Sequence, residues 1–325
     1  MFDIAREALA ELDAGRSLGV VVVTRVHGSA PRAAGAAIAV TADGRALGSL
    51  SGGCVESEAY DLAERVLASG EVVADTLGAS GDLYRAALAC GGALDVIAVR
   101  VTPAEATIVA ALRDAVALDE ATLTLGAGTP AEATLRRPAA AAFVIVGAVD
   151  FTRSLADGAV ALGYRVTVAD HRAVFATAER FPGAHRVLVG RPASVLPGLA
   201  LDERAVICVM THDRGVDVEA LRAALATPAA FIGAMGSRRA HDERVMSLRE
   251  AGVGAAELAR VRSPIGLDLG GSSPAETAVA ILAEVIAART GGGPTPLTEL
   301  DGPIHVRRAQ GAPADGVDAG HASTP

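Results

Sequence analysis

Residues 143–172 read FVIVGAVDFTRSLADGAVALGYRVTVADHR, and this stretch decides the predicted fold of the second half of the chain. One strand-like run ends at Gly147, a helical stretch follows, and a second strand-like run ends at Asp170. Strand-like runs continue to alternate with helical stretches, at 187–189, 205–210 and 229–232. Such alternation is typical of a parallel sheet covered by crossover helices. We therefore predict an α/β fold with a Rossmann-like C-terminal domain over residues 141–290.

The first 123 residues predict another α/β domain with a different order of elements. Apolar residues at helical spacing predict helices over 2–14 and 54–69. Strands are predicted at 18–26, 36–41, 45–50, 71–77 and 93–101. Residues 124–140 show no clear periodicity and are expected to be a linker. Residues 291–325 are dominated by Gly, Pro, Ala, Asp and Arg and are expected to be a disordered tail.

Charge and cysteine content argue against several classes of protein. A net charge of −9 disfavours nucleic acid as a partner. All 29 basic residues are Arg, which excludes a P-loop lysine and a Schiff-base lysine. The three cysteines form no CxxC pair, so we expect a reducing, cytoplasmic location. The amphipathic start and the lack of a long apolar run argue against a signal peptide and stable membrane association.

Gly147 and Asp170 occupy positions that a Rossmann fold uses to bind a dinucleotide. Asp170 follows Gly147 by roughly the 20 residues that place an acid on a ribose hydroxyl. Val149 stands where the second glycine of GxGxxG is expected, and the third glycine of the motif is missing too, so the backbone cannot approach a pyrophosphate closely. We therefore favour a scaffold for packing or for another ligand, and NAD(P) stays open as an alternative.

Two glycine-flanked cysteine loops are candidate sites in the first domain. Ser51, Gly52 and Gly53 precede a predicted helix, whose unpaired N–H groups form a ready site for an anion such as phosphate. Arg32 adds positive charge, and Cys54 in the first helical turn is expected to favour the reactive thiolate. Cys90, Gly91 and Gly92 form the second such loop. A cysteine is often just a small buried hydrophobe, as Cys208 within AVICVM suggests, and Glu56 has the alternative of a solvated helix position.

Three later segments also carry candidate residues. His212 and Asp213 follow a strand, where α/β folds collect ligands, although Asp213 has the alternative of capping the next helix. Asp217 is predicted to be a helix cap. Gly236, Ser237 and Arg238 repeat the pattern of a glycine loop before a helix, with Ser237 as its cap and Arg238 facing an anion or water. Ser273, Pro274 and Glu276 predict a capping box.

These segments together resemble the XdhC/CoxI family. GSAPR near residue 30, GSLSGGCVE around Cys54, ACGG at Cys90, THD at 211–213, IGAMGSRR and PIGLDLGGSSPAE occur in the order and approximate spacing of that family. The resemblance runs from about Asp3 to Arg289. The chain departs from it at GAVDF, where many members resemble GAGHV, and this change weakens the case for a nucleotide in that loop.

The resemblance implies an accessory protein rather than an enzyme, with no catalytic residue. It would bind molybdenum cofactor, protect it during sulfuration and deliver it to a xanthine-dehydrogenase or CO-dehydrogenase-type molybdenum hydroxylase, with Cys54 meeting the molybdenum. It also implies a homodimer, with a cysteine desulfurase as a further partner. The candidate cofactor-binding residues are Arg32, Ser51, Gly52, Gly53, Cys54, Glu56, Cys90, Gly91, Gly92, Gly147, Asp170, His212, Asp213, Gly236, Ser237 and Arg238.

Two other functions remain open at this point. A nicotinamide-dependent oxidoreductase would bind NAD(P) tightly at Gly147 and Asp170. A pure interaction protein would dock a desulfurase or a target dehydrogenase without holding the cofactor, and substitution of Cys54 would then leave activation of the target intact.

Overall fold

The computed structural model describes residues 1–79, 87–117, 120–301 and 317–319. The chain forms two compact units. The first comprises the residues up to Ala139 together with those described from Pro296 onward, and the second comprises Ala140–Thr295. Most of the predicted tail, 291–325, lies outside the described residues.

The first unit is built on a five-stranded antiparallel sheet with strand order β3-β2-β1-β5-β4. Its strands are β1 Leu18–His27, β2 Ala37–Thr41, β3 Ala46–Gly48, β4 Val73–Leu77 and β5 Ala93–Val101. Its helices are α1 Ala5–Asp13, α2 Glu56–Ser69 and α3 Ala106–Ala117.

The sheet is buried on both faces because its central strand is apolar at consecutive positions. Val20 and Val22 pack into the core shared with α1 and α3, whereas Val21 and Val23 pack into the core shared with α2. Helix α2 lies directly on β1 at Gly19, where an added Cβ would be 2.0 Å from the backbone oxygen of Ala63. These cores fix the positions from which the loops at the end of the sheet emerge.

The segment expected to be a linker has a different structure. Strands β6 Ala121–Leu125 and β7 Ala133–Arg137 form an antiparallel hairpin in the first unit, and β14 Val317–Ala319 pairs with β7. Alternate residues Leu123, Leu125, Ala133 and Leu135 are buried. Each strand has only two buried residues in alternation. A pattern this short does not stand out in the sequence beside the Gly, Pro and Thr residues of the turn.

The second unit contains a six-stranded parallel sheet with strand order β10-β9-β8-β11-β12-β13. Its strands are β8 Ala142–Val146, β9 Arg165–Asp170, β10 Arg186–Val189, β11 Val206–Val209, β12 Phe231–Ala234 and β13 Val261–Arg262. Its helices are α4 Asp150–Ala161, α5 Pro192–Val195, α6 Arg214–Leu225, α7 Arg238–Glu250, α8 Ala255–Leu258 and α9 Pro274–Thr290. This order, third-second-first-fourth-fifth-sixth, is the Rossmann arrangement, and the predicted fold class is confirmed.

Apolar residues cover both faces of the second sheet. Phe143 and Ile145 face the core that includes α4 and α9, and Val144 and Val146 face the core that includes α6. The strand order reverses between β8 and β11. In open parallel sheets, ligand crevices form outside the carboxyl ends of the strands at such a reversal.

Candidate functional site

Three loops of the first unit meet at one end of its sheet. They are residues 27–32 from the last residue of β1 onward, 48–55 from the last residue of β3 to α2, and 88–92 before β5, and we call them the three-loop cluster. A Cβ added to Gly92 would lie 2.1 Å from the backbone oxygen of Ser29 and 2.6 Å from that of His27. Arg32 Nη1 donates to the backbone oxygen of Ser49 at 3.0 Å. The fold therefore brings the predicted residues of this unit into one region.

Two free thiols belong to this cluster. Cys54 and Cys90 are half-buried, and Cys54 packs against the apolar core that includes Leu88. Cys54 is not in the first turn of α2 as predicted, because Val55 is the N-cap and α2 begins at Glu56. Cys208 is completely buried in β11, as expected of a small apolar residue, and this burial raises the pKa of its thiol.

The glycine loop before α2 is already occupied by a carboxylate of the same chain. Glu56 Oε1 accepts hydrogen bonds from the backbone N–H groups of Leu50 at 3.1 Å, Ser51 at 2.8 Å and Gly52 at 2.9 Å. Glu56 Oε2 accepts from the N–H of Gly53 at 2.7 Å. The prediction of an open phosphate site at Ser51, Gly52 and Gly53 is therefore wrong, because Glu56 already uses their donors. Glu56 is a partner of the loop rather than a solvated residue.

Two hydroxyl groups complete the surroundings of the Glu56 carboxylate. Ser49 Oγ donates to Oε1 and Ser51 Oγ donates to Oε2, each at 2.6 Å. Burial raises the pKa of Glu56, but the hydrogen bonds from Ser49, Ser51 and the loop amides outweigh it and lower this pKa to about 2. The carboxylate is consequently ionised at neutral pH. We call Glu56 with its donors in residues 49–53 the carboxylate cradle.

Arg32 has partners within the first unit. Its Nη2 donates to Asp3 Oδ2 at 2.5 Å, in addition to the bond from Nη1 to Ser49. The guanidinium therefore ties the loop after β1 to the glycine loop, and Asp3 compensates its charge.

Sequence reasoning missed a polar group at the same end of the sheet. His27 Nε2 lies 2.7 Å from Asp95 Oδ2, and Thr76 Oγ1 donates to Asp95 Oδ1 at 2.9 Å. Burial raises the pKa of Asp95, but the hydrogen bonds from His27 and Thr76 outweigh it, so the pKa is lowered overall. These three side chains belong to three strands, and the sequence carried no local signal for their contact.

A cavity of about 290 Å³ lies at the carboxyl ends of strands in the second unit. It follows β8, β9 and β11, at the place where the strand order reverses. Its lining residues are Ala148, Val149, Asp150, Phe151, Arg172, Phe175, Arg180 and His212. Of the predicted site residues only His212 lines it. Arg172 and Arg180, which stack on the Phe175 ring with 4.6 and 5.3 Å from guanidinium carbon to ring centroid, were not predicted.

Asp170 lies beside this cavity but its carboxylate is fully engaged. Oδ2 accepts from the N–H of Ala148 at 2.8 Å and from Arg172 Nη2 at 2.7 Å, and Oδ1 accepts from the N–H and Nε of Arg172, both at 2.9 Å. Burial raises the pKa of Asp170, but Arg172 and these amides outweigh it and lower the pKa to about 2. In this arrangement Asp170 has no free oxygen for a ribose hydroxyl.

A buried ion pair joins the loops after β11, β12 and β13. Asp217 accepts from Thr211 Oγ1 and, at 2.8 Å, from Arg244 Nε. Arg244 also donates to the backbone oxygen of Met235 and to Ser263 Oγ. Asp217 is therefore not the helix cap that we predicted, since it lies inside α6 and is buried.

The remaining predicted residues of the second unit are mainly structural. Asp213 caps α6 by accepting from the N–H groups of Gly215 and Val216, and Ser237 caps α7. Gly147 has φ +114°, and Gly236 has φ +142° beside Arg244. Arg238 is exposed at the start of α7. Within the described ranges, no group of three or more His, Cys, Asp or Glu side chains is placed to hold a metal ion.

The two units define a class of α/β protein in which an antiparallel unit with paired thiol loops accompanies a Rossmann unit. The family model of the XdhC Rossmann domain matches residues 143–285, and the model of the XdhC and CoxI family matches residues 11–76. The two matches fall in different units and together cover well over half of the chain. The chain belongs to the XdhC/CoxI family.

Known relatives cover either most of the chain or part of it. The molybdenum cofactor insertion chaperone PaoD of Escherichia coli is 26% identical over 88% of each chain. A probable xanthine dehydrogenase subunit from Bacillus subtilis is 25% identical over 83% of this chain and 92% of its own. The uncharacterized protein YqeB of Escherichia coli is 32% identical over 45% of this chain, and the match covers only 27% of YqeB.

A solved structure shares the fold. A xanthine dehydrogenase from Bacillus halodurans superposes with a TM-score of 0.70, covering 90% of this chain and 96% of its own, at 21% identity. At that identity the likeness concerns the fold alone. No helix among the described residues is both long and apolar enough to cross a membrane.

Proposed function

We propose that this protein binds molybdenum cofactor and delivers it to a molybdenum hydroxylase, as an accessory protein rather than an enzyme. The observation that carries the proposal is the three-loop cluster, where Cys54 and Cys90 offer two half-buried free thiols. The name of the full-length relative PaoD, a molybdenum cofactor insertion chaperone, supports the same role. Loops held on a rigid sheet are a common place for a ligand site.

Cys54 is the proposed contact to the molybdenum, with Cys90, Gly91 and Gly92 on the neighbouring loop. A thiolate is the form of cysteine that binds a metal, and half-buried cysteines can supply it while a buried one such as Cys208 cannot. The terminal phosphate of the pterin does not rest on Ser51–Gly53 in this proposal, because Glu56 occupies those donors. Chemically, the protein holds and shields the cargo and changes no bond in it.

The proposal includes partners and a location. The molybdenum hydroxylase that receives the cofactor is one partner, a cysteine desulfurase acting during sulfuration is another, and the protein acts as a cytoplasmic homodimer. The name of the Bacillus subtilis relative, which is that of a probable component of xanthine dehydrogenase, supports association with such a hydroxylase.

A nicotinamide-dependent oxidoreductase is the second candidate. The Rossmann strand order and the cavity after β8 favour it, since Arg180 and His212 offer polar contacts there. The engagement of Asp170 by Ala148 and Arg172 argues against it. Retention of molybdenum cofactor, measured beside binding of NADH, distinguishes the two candidates.

The test is to incubate purified protein with molybdenum cofactor and to quantify retained pterin and molybdenum after gel filtration, beside a titration with NADH. The proposal predicts stoichiometric retention, loss of retention in Cys54→Ser and Cys90→Ser, and unchanged retention in the matched control Cys208→Ala. NADH binding without cofactor retention would favour the oxidoreductase. Retention that is indifferent to both loop cysteines would refute the thiolate role.

A further inference from the structure

The glycine loop of the three-loop cluster is connected to Cys54 by a chain of hydrogen bonds. Ser51 Oγ donates to Glu56 Oε2 at 2.6 Å, and it accepts from the backbone N–H groups of Cys54 at 3.0 Å and Val55 at 3.1 Å. Ser51 is only 2% exposed. One hydroxyl therefore joins the carboxylate to the backbone that carries the thiol.

The path of this loop depends on the carboxylate. Gly52 and Gly53 have φ values of +79° and +130°, and a Cβ added to either would meet nothing within 4 Å. Packing around these glycines thus does not hold them in place. Their N–H groups instead point to Glu56, which gathers four amides and two hydroxyls. Donors converging on one point in this way make an anion-binding concavity.

We infer that Glu56 is the permanent internal anion of this loop and the positioning residue of Cys54, acting through Ser51. A loop fixed by its own carboxylate needs no bound phosphate to acquire its shape, so the thiol is already in place before cargo arrives. The inference rests on the proposed function only in that Cys54 is taken to meet the cargo.

The structure provides matched variants for a test. Glu56→Gln keeps the side-chain volume but replaces one acceptor oxygen by an NH₂ group. This donor would then face the backbone N–H groups of the loop, which are donors themselves. Ser51→Ala removes the hydroxyl that holds Cys54. Ser57→Ala is the matched control, because Ser57 is an exposed serine of α2 beside Glu56 and lies outside residues 49–53. Glu64→Gln, on the exposed side of the same helix, controls for the loss of a charge.

The measurement is the rate at which iodoacetamide alkylates Cys54 relative to Cys90 in the same full-length protein, read by peptide mass spectrometry. Loss of a buried hydrogen bond to a charged group predicts that Cys54 reacts at least about threefold faster in Glu56→Gln and Ser51→Ala. The ratio stays within about twofold of the parent in Ser57→Ala and Glu64→Gln. Excess inorganic phosphate leaves the rate of the parent unchanged.

Three results would overturn the inference. One is an unchanged ratio in both Glu56→Gln and Ser51→Ala. Another is an equal rise at Cys54 and Cys90 together with a lower melting temperature, which indicates general loosening. The third is slowing of Cys54 by phosphate in the parent, which means that the loop accepts an external anion.

Alkylation needs no cofactor, so it decides the role of Glu56 independently of the proposed function. Cofactor retention by the same variants tests whether the position of Cys54 matters for binding the cofactor. Absence of retention by the parent would refute the proposed function alone. Retention that falls in Glu56→Gln and persists in Ser57→Ala would support both the proposed function and the role of Glu56.

Discussion

Glu56 and Asp170 are carboxylates that their own units surround with donors. Each accepts backbone N–H groups from a loop at the end of a sheet. Burial raises both pKa values, but side-chain donors, Ser49 and Ser51 for Glu56 and Arg172 for Asp170, outweigh it together with these amides and lower each pKa to about 2. Neither side chain is left with a free acceptor for a ligand. The loop amides that donate to these carboxylates are also unavailable to a bound anion, so its contacts must come from other donors, such as His212 or Arg180 at the cavity.

Asp170→Asn tests the structural role of the Asp170 carboxylate. The change removes the charge that pairs with Arg172. We expect a loss of about 2 kcal/mol in the free energy of unfolding, which is less than for a fully buried ion pair because Arg172 is partly exposed. The measurement is denaturant unfolding. Asp150→Asn, at the same cavity but exposed, is the control and should cost less than about 1 kcal/mol. Equal losses in the two variants would contradict the role given to Asp170.

Gly147→Ala tests the close approach between the loops that follow β8 and β11. An added Cβ would lie 2.8 Å from Thr211 Cγ2, at a backbone φ of +114°. We expect a loss on the order of 2 kcal/mol in stability. Gly198→Ala, exposed and with nothing within 4 Å of its added Cβ, should stay within about 0.5 kcal/mol of the parent. A tolerated Gly147→Ala would show that the two segments separate easily.

At the scale of elements, the local patterns in the sequence were informative. Alternating strands and helices predicted the second sheet, and Ser237 and Ser273 were placed correctly as helix caps. Caps and periodicity involve residues within a few positions of one another, so the sequence displays them directly. The β6–β7 hairpin escaped because its strands are short and polar on one face.

The contacts that shape the candidate site were much less predictable. The bonds from the Ser51–Gly53 amides to Glu56 join residues that are close in sequence. An acid that follows a glycine loop was therefore a usable signal, but we interpreted Glu56 as a solvated residue or a partner of the helix dipole. The pairs Asp217–Arg244 and His27–Asp95 were beyond sequence reasoning, because only the folded sheet brings their elements together.

The start of α9 provides a prediction about an element. Ser273 Oγ accepts from the N–H of Glu276 at 3.2 Å, and Glu276 Oε2 accepts from the N–H of Ser273 at 2.9 Å. Ser273→Ala should lower the stability by about 1 kcal/mol, because α9 packs on α4 and loses its cap. The measurement is the melting temperature in thermal unfolding. Ser272→Ala, one residue earlier, keeps the capping box and is the control. Identical melting temperatures for the two variants would contradict the cap assignment.

At the scale of the whole molecule, arginine supplies every basic side chain, and several arginines hold carboxylates. Glu11 accepts from Arg16 Nε at 2.6 Å and from Arg45 Nη2 at 2.8 Å, and these bonds lower the pKa of Glu11 to about 2. Together with Glu56 and Asp170, such lowered values occur in both units.

These values predict how stability depends on pH. A carboxyl group whose pKa is lower in the folded state contributes stability that is present above its unfolded pKa and is lost as pH falls through its folded pKa. We therefore expect the free energy of unfolding to fall as the pH decreases from about 4.5 to about 2. Denaturant unfolding at several pH values checks this, and Asp170→Asn should lessen the slope. A constant stability down to about pH 3 would contradict the assignment.

The pairing of β14 with β7 has a mechanical consequence. The chain leaves the first unit after Ala139 and returns to it from Pro296 onward, so the second unit is an insertion in the chain of the first unit. A pulling force applied between α1 and β14 is borne by the first unit for as long as it holds together, and the Rossmann sheet carries no load until then. In an optical trap we expect the first unit to rupture before the second one is stretched.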